Sequence, residues 1–331
     1  MGWCNTAPGS KRWLSITGSI LTLAACGGIR PPSASKAIAK VDFSCRLPVG
    51  SVPTGAGGFI SFPSGQFTAD KRSSLMYLPG PDTWVAESRV LSPDGSAYVS
   101  DEQGKVPPST RIHIVDAGTG RDRAVWSANG WGSSLGWQKD GIYFMSSGSQ
   151  PRNGPEIVVI DPLTGAQRLA VPQPEFGKGP ELFKAGAAVG GGAVWSTAGP
   201  LIRIDPANGK PETWATYQHG AFEVVGWDAR GQILLSLSKG SLVRLLAPGR
   251  SEAIEAPGFQ PPEGMPPGAV SDGHGTWAAG SDGSIWLLDT PGRMKRVAAI
   301  TLPSPPPPTP GVMDDMGGWQ APRLLIAGNC R

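Results

Sequence analysis

The chain has 331 residues, enough for one large domain or two ordinary ones. Its 47 Gly and 34 Pro, with only 17% charged residues, exclude a mainly helical fold, because each costs a helix about 1 (Gly) or 3 (Pro) kcal/mol relative to Ala. Hydrophobic content of 39% with 12 Trp excludes a disordered chain. The formal charge is +3, and removal of residues 1–25 leaves 27 basic against 26 acidic residues, so there is no basic surface to engage nucleic acid.

The chain opens with an address. Lys11-Arg12 precedes an apolar run from Trp13 to Ala25, of signal-peptide length and too short for a stable membrane span. The run ends Leu23-Ala24-Ala25-Cys26-Gly27-Gly28, which resembles the bacterial lipobox. The resemblance implies that residues 1–25 are a lipoprotein signal peptide, that the Cys26 thiol carries diacylglycerol, and that the protein is exported and lipid-anchored on the extracytoplasmic face of a cell membrane. Residues 26–40, with Pro31-Pro32 and small or polar neighbours, read as a flexible tether, and residues 41–331 as the folded domain. Export leaves Cys45 and Cys330, one at each end of that domain. In an oxidising compartment an even pair is expected to be bridged, two unrelated buried thiols being the alternative.

A unit of roughly 43 residues then repeats. Ile112 to Gly120, Ile157 to Gly165, Leu201 to Gly209, Leu242 to Gly249 and Ile285 to Gly292 are each an apolar strand ending in a turn. In most copies the turn carries an Asp able to bond backbone N–H groups, and in all it carries a Gly free to take positive φ. A hairpin turn precedes each of them: Ser92-Pro93-Asp94-Gly95, Lys139-Asp140-Gly141, Gly190-Gly191-Gly192, Asp228 to Gly231 and Asp272 to Gly275. A shorter apolar run follows each. Four strands per unit predict an all-β fold, a β-propeller of six four-stranded blades, inner strand to outer, because one such sheet cannot bury both faces alone. Seven blades is the alternative. The first unit is irregular. It reads as residues 41–49 innermost, Phe59 to Phe62 next, then Leu75 to Leu78 and Trp84-Val85, with a closing strand from residues 323–330 joining the two ends of the chain.

Ser92-Pro93-Asp94-Gly95 resembles the TolB-type, WD-like repeat, and the run from Gly192 to Lys210 resembles a streptogramin-lyase or NHL-type blade. Together the matches cover most of residues 90–300 and are nearest to uncharacterised bacterial extracytoplasmic propellers. They imply the fold and no particular activity, since one blade type serves enzymes, receptors and scaffolds.

In a propeller, ligands usually meet the loops between second and third strands and between successive blades. Those loops carry Asp101, Glu102, Trp131, Arg152 and His219, a set able to orient and cover a polar ligand, or else solvated residues that never converge. His219 is the one histidine placed to act as a general base; His113 lies within a strand and His274 in a turn. Three scattered histidines make no metal site, the Gly-rich turn at 190–192 opens no phosphate-binding helix, and no cofactor motif is found. Pro303 to Pro310 is a polyproline stretch, either a stiff spacer or a docking segment. The expected function is a monomeric, envelope-anchored module binding a protein or small polar ligand on its loop face. The alternatives are a lyase or hydrolase centred on His219 with Asp101 and Glu102, and a structural envelope protein.

Overall fold

The computed structural model describes residues 37–52, 55–85, 90–104, 109–146, 156–171, 187–196, 200–216, 222–237, 241–262, 268–301 and 323–331. Cys26, Arg152, His219 and the polyproline stretch lie outside the described residues. The described residues form antiparallel strands and no helix, so none of them makes a helix long and apolar enough to cross a membrane.

The strands fall into seven sheets. The first holds β1 (Cys45–Val52), β2 (Gly57–Phe62) and β3 (Gln66–Asp70), with the last strand of the chain, β25 (Arg323–Ile326), on the edge beside β1. The second is a hairpin of β4 (Met76–Leu78) and β5 (Thr83–Val85). The third holds β6 (Ala97–Gly104), β7 (Ser109–Asp116) and β8 (Asp122–Asn129), with a bridge from Leu91 to Tyr98 in place of an innermost strand. The fourth comprises β9 (Gly132–Gln138), β10 (Gly141–Ser146), β11 (Glu156–Ile160) and β12 (Gln167–Val171). The fifth comprises β13 (Ala187–Gly190), β14 (Ala193–Ser196), β15 (Leu201–Ile204) and β16 (Pro211–Ala215). The sixth comprises β17 (Phe222–Trp227), β18 (Ile233–Leu237), β19 (Ser241–Ala247) and β20 (Arg250–Ile254). The seventh comprises β21 (Val270–Asp272), β22 (Gly275–Ala279), β23 (Ser284–Thr290) and β24 (Arg293–Ala299).

The cores lie between sheets. Val99, Ile112 and Ile114 of the third sheet bury against Ile142, Phe144 and Ile160 of the fourth. Val159 and Val171 meet Val194 and Ile204, Trp195 and Leu201 meet Ile233 and Leu235, and Leu234 and Leu242 meet Trp286 and Leu288. The hairpin of the second sheet is held on both sides, Trp84 against Phe59 and Leu325 of the first sheet, and Met76 and Leu78 against Tyr98 and Val115 of the third. Trp277, Ile285 and Leu287 of the seventh sheet pack on Leu47, Ile60 and Ile326 of the first. Each buried side chain of this size contributes roughly 1.5–3 kcal/mol, and nearly all of it is interfacial. Consecutive antiparallel sheets packed face to face in this way make a β-propeller.

Glycines admit tryptophans across these interfaces. A Cβ at Gly190 would stand 2.2 Å from the Trp227 ring of the sixth sheet, and one at Gly165 would stand 2.3 Å from the Trp126 ring of the third. Trp214, by contrast, meets Trp195 edge-on within its own sheet, ring centroids 5.0 Å apart.

The first unit departs from the sequence expectation. β1 is second from the inner edge, because the tail supplies the edge strand: Val49 pairs with Ile326 and Val52 with Arg323. Residues 57–62 are therefore the third strand. The fourth is β3, hidden in the sequence because Gln66–Asp70 has one large apolar residue and lies mostly exposed. A turn at Pro63 to Gly65, with Gly65 at φ 68°, returns the chain to it. Residues 75–78 and 84–85 then form a sheet of their own, so the described residues fall into seven sheets, where the spacing predicts six blades with seven as the alternative.

Cys45 and Cys330 are bonded, Cα atoms 5.5 Å apart across a sequence separation of 285. Around them Asp272 accepts hydrogen bonds from the Cys330 N–H (2.9 Å), the Trp277 indole (2.8 Å) and the His274 N–H (2.8 Å), tying the tail to the seventh sheet. On the outer strands of the third sheet, His113 Nδ1 lies 3.0 Å from Asp122 Oδ2 and Nε2 3.3 Å from Glu102 Oε2. Burial opposes charge on this ring, but the bonds to Asp122 and Glu102 outweigh it and hold its pKa above the ordinary 6.5.

Two measurements check these ties. Reduction, or Cys330→Ala, is expected to lower stability by on the order of 5 kcal/mol, read as a drop in the urea midpoint absent from a reduced control. The His113 contribution is present below its unfolded pKa and lost as pH rises through the raised folded value. The stability gap between wild type and His113→Gln is therefore expected to shrink by roughly a few tenths of a kcal/mol from acid to alkaline pH, with the ring protons titrating above 6.5 by NMR.

Candidate functional site

The strand directions divide the domain into two ends. The turns 93–96, 117–120 and 161–166 gather at one end, and the described connections between sheets, 71–75 and 130–131, lie at the other with the hairpin turn 280–283. Asp101 and Glu102, read from sequence as residues of a loop from Ser100 to Thr110, belong instead to β6, whose pairing with β7 continues to Gly104 and Ser109. Neighbouring strand residues point to opposite faces. Asp101 turns to the fourth sheet and accepts hydrogen bonds from Ser134 N–H (2.7 Å) and Oγ (2.8 Å). Burial pushes its carboxyl above the usual range, against those two bonds. Glu102 turns the other way, to His113 and to Arg111 at 3.6 Å. The two acids thus serve separate contacts. Trp131, at the loop end, is 49% exposed and its indole donates to the Gly104 carbonyl (3.0 Å).

Two adjacent cavities lie at the turn end. One, about 430 Å³, is bounded by Tyr77, Pro79, Leu91, Asp116 and the tail residues Asn329 and Arg331. The next, about 460 Å³, lies between the third and fourth sheets against Pro93, Ala124, Trp137, Pro162 and Leu163. Asp94, Ser96 and Arg123 line both, so the two adjoin across Arg123 as halves of one surface cleft. A cavity at the loop end, beside Pro261, Pro262, Ala269 and Leu325, holds only about 40 Å³.

The turns that shape the cleft follow from their residues. In 92–95, Gly95 takes φ 69° and its N–H reaches the Ser92 carbonyl (2.8 Å), while Asp94 accepts from Ser92 Oγ (2.6 Å) and the Ser96 N–H (3.0 Å). Asp116 gathers the N–H groups of Gly118 (2.9 Å) and Thr119 (2.7 Å), and Asp161 those of Leu163 (2.8 Å) and Thr164 (3.0 Å). The latter turn leaves Leu163 87% exposed at its tip. Arg123 spans two turns, donating to Asp116 through Nε (2.9 Å) and Nη2 (2.7 Å) and to Ser96 Oγ (3.1 Å) and carbonyl (2.9 Å).

These bonds decide the chemistry. The Ser92 hydroxyl and the Ser96 N–H and hydroxyl hold the Asp94 carboxyl down at about 2, and Arg123, then Thr119, do the same for Asp116. Both stay ionised near neutrality, as fixed acceptors rather than proton donors. Among the described residues no group of three or more His, Cys, Asp or Glu side chains is placed to hold a metal ion. The cleft offers fixed charges beside an apolar wall. The sequence does not reveal it, because its turn residues are accounted for locally as turn formers and its strand residues, such as Ala124 and Trp137, read as packing. The one available signal was Leu163, a large apolar side chain in a turn whose counterparts are Gly118 and Ala207.

No family model matches the chain, and no curated protein matches it. Solved structures similar to it include TolB from Acinetobacter baumannii, 14% identical over 76% of this chain and 65% of that one, TM-score 0.39. A prolyl endopeptidase is 16% identical over 80% of this chain and 43% of that one, TM-score 0.43. A quinoprotein alcohol dehydrogenase-like protein from Bacteroides thetaiotaomicron is 13% identical over 76% and 62%, TM-score 0.39. The chain spans less than two thirds of the length of each of these structures. The likeness is one of fold alone.

Proposed function

We propose that this protein is a lipid-anchored, extracytoplasmic propeller of seven blades, one of them reduced to a hairpin, that binds a partner protein through its turn-end cleft. The seven-blade reading is supported by the seven interfaces, each joining sheets consecutive in the chain and the last joining seventh to first. The anchor and the export rest on the lipobox at Cys26 and agree with the Cys45–Cys330 bond, since such bonds persist in oxidising compartments. The observation that carries the binding reading is the conjunction, in one cleft, of Leu163 left in solvent and Arg123, Asp94 and Asp116 held rigid by turn bonds. Preformed charges bind without the cost of ordering them, and an exposed apolar side chain supplies area to bury. The loop-face set expected from sequence has lost Asp101 and Glu102 to structural contacts, which favours the turn end.

Two experiments check the proposal. Palmitate labelling in cells is expected to be lost in Cys26→Ala; retained label would end the anchor assignment. A photo-crosslinking residue placed at position 163 is expected to give a discrete adduct in intact membranes, while one at position 131 gives none; the reverse pattern would move the binding face to the loop end.

A further inference from the structure

We propose that the fourth-sheet half of the cleft is a receptor for a polyproline II segment, and that its occupant is the Pro303–Pro310 run of a second copy of this chain; the inference rests on the reading of the cleft as a binding surface. The pocket has the chemistry such a segment needs. Pro93, Pro162, Ala124, Trp137 and Leu163 make an apolar floor of about 460 Å³, with Arg123 at one side. The Trp137 indole N–H donates to no group among the described residues, unlike the indoles of Trp126 and Trp131, which are engaged by the Pro162 and Gly104 carbonyls. A polyproline II helix makes no internal hydrogen bonds and presents its carbonyls outward, so one of them can replace solvent as the acceptor for the part-exposed Trp137 indole, and its ring edges fit an aromatic-lined groove. Little conformational entropy is lost on docking, because consecutive prolines restrict a chain before it binds.

Chain geometry selects the second copy. β24 runs from the turn at residues 291–292 toward the loop end, and β25 begins there, paired through Arg323 with Val52. Pro303 stands two residues beyond Thr301, hence within about 7 Å of it. The pocket is at the opposite end, a strand length of about 23 Å away for seven residues. It also lies two sheets further round, because the first and second sheets intervene between the seventh and the third. Pro310 reaches at most about 30 Å from Thr301, so the run as a whole cannot seat in its own pocket. Loop end to turn end is a head-to-tail contact between copies.

The test uses a fluorescent peptide of residues 301–312 and the purified full-length chain in detergent. Anisotropy is expected to show saturable binding. Leu163→Ser, a change at an exposed turn tip that leaves the folded core untouched, is expected to weaken it about tenfold or more. Trp137→Phe, which keeps the ring and removes the donor, is expected to weaken it as well. Sedimentation velocity should show concentration-dependent association of the wild type, lost in Leu163→Ser and in a chain with Pro305, Pro306 and Pro307 replaced by Gly. A peptide that fails to bind, or binds Leu163→Ser and wild type alike, overturns the proposal, as does a chain that sediments as a monomer at every concentration. An adduct from position 163 to another protein, with no peptide binding, would keep the cleft as a binding surface and discard the proline-segment occupant alone.

Discussion

A four-stranded sheet with two apolar faces has no stable existence by itself, and the whole molecule is organised by that constraint. Here the buried side chains lie between sheets rather than within them, so each sheet is stable only because its neighbours are present. The consequence is strongest where the chain begins and ends. The first sheet needs β25 for its inner edge, and the seventh needs the first for its outward apolar face, so the fold is incomplete until the last residues arrive. The Cys45–Cys330 bond and the Asp272 cluster sit at that junction, where separation of the two ends would expose both faces at once.

The same constraint explains how a hairpin of two three-residue strands persists. β4 and β5 bury Met76, Leu78 and Trp84 against the sheets on either side and borrow a further tie from the tail, the Tyr77 N–H bonding the Ala327 carbonyl at 2.9 Å. An isolated hairpin is marginal in water, and this one is kept by packing. Its shortness has an effect on the third sheet, whose outer strands carry His113, Glu102, Arg111 and Asp122 where full-length neighbouring strands would require apolar residues. It also shapes the site, for the turn after β4 walls the cavity that opens between Tyr77, Asp116 and the tail.

Rigidity of the turn end comes from a repeated device. Asp116, Asp161 and Asp205 each collect the backbone N–H groups of their own turn, and Arg123 and Arg168 then tie turns together, Arg123 through Asp116 and Ser96, Arg168 through Asp140 and the Pro206 carbonyl of the next sheet. In the sixth sheet Arg244, nearly fully buried, pairs with Asp228 at 2.7 Å. Charges held in this way are fixed in place at the turn end.

The sequence by itself determined what local chemistry controls. Strand alternation, Asp and Gly at turn positions and a period near 43 residues were enough for the all-β repeat from residue 90 to 300, and an even pair of cysteines at the two ends of the folded part was enough to expect the bond between Cys45 and Cys330. Tertiary structure decided everything that depends on which sheet lies beside which. β3 was invisible because it is an outer strand with one large apolar residue, and β4–β5 was misassigned because three-residue strands carry no period of their own. Asp101 and Glu102 looked like a loop pair because polar residues in sequence read as solvated; only the extended β6–β7 ladder turns them to opposite faces. The cleft itself is a space between sheets, formed where the turn at 92–96 meets the turn at 161–166 of the next sheet, and spacing along a sequence carries no information about a void between elements that pack only after folding.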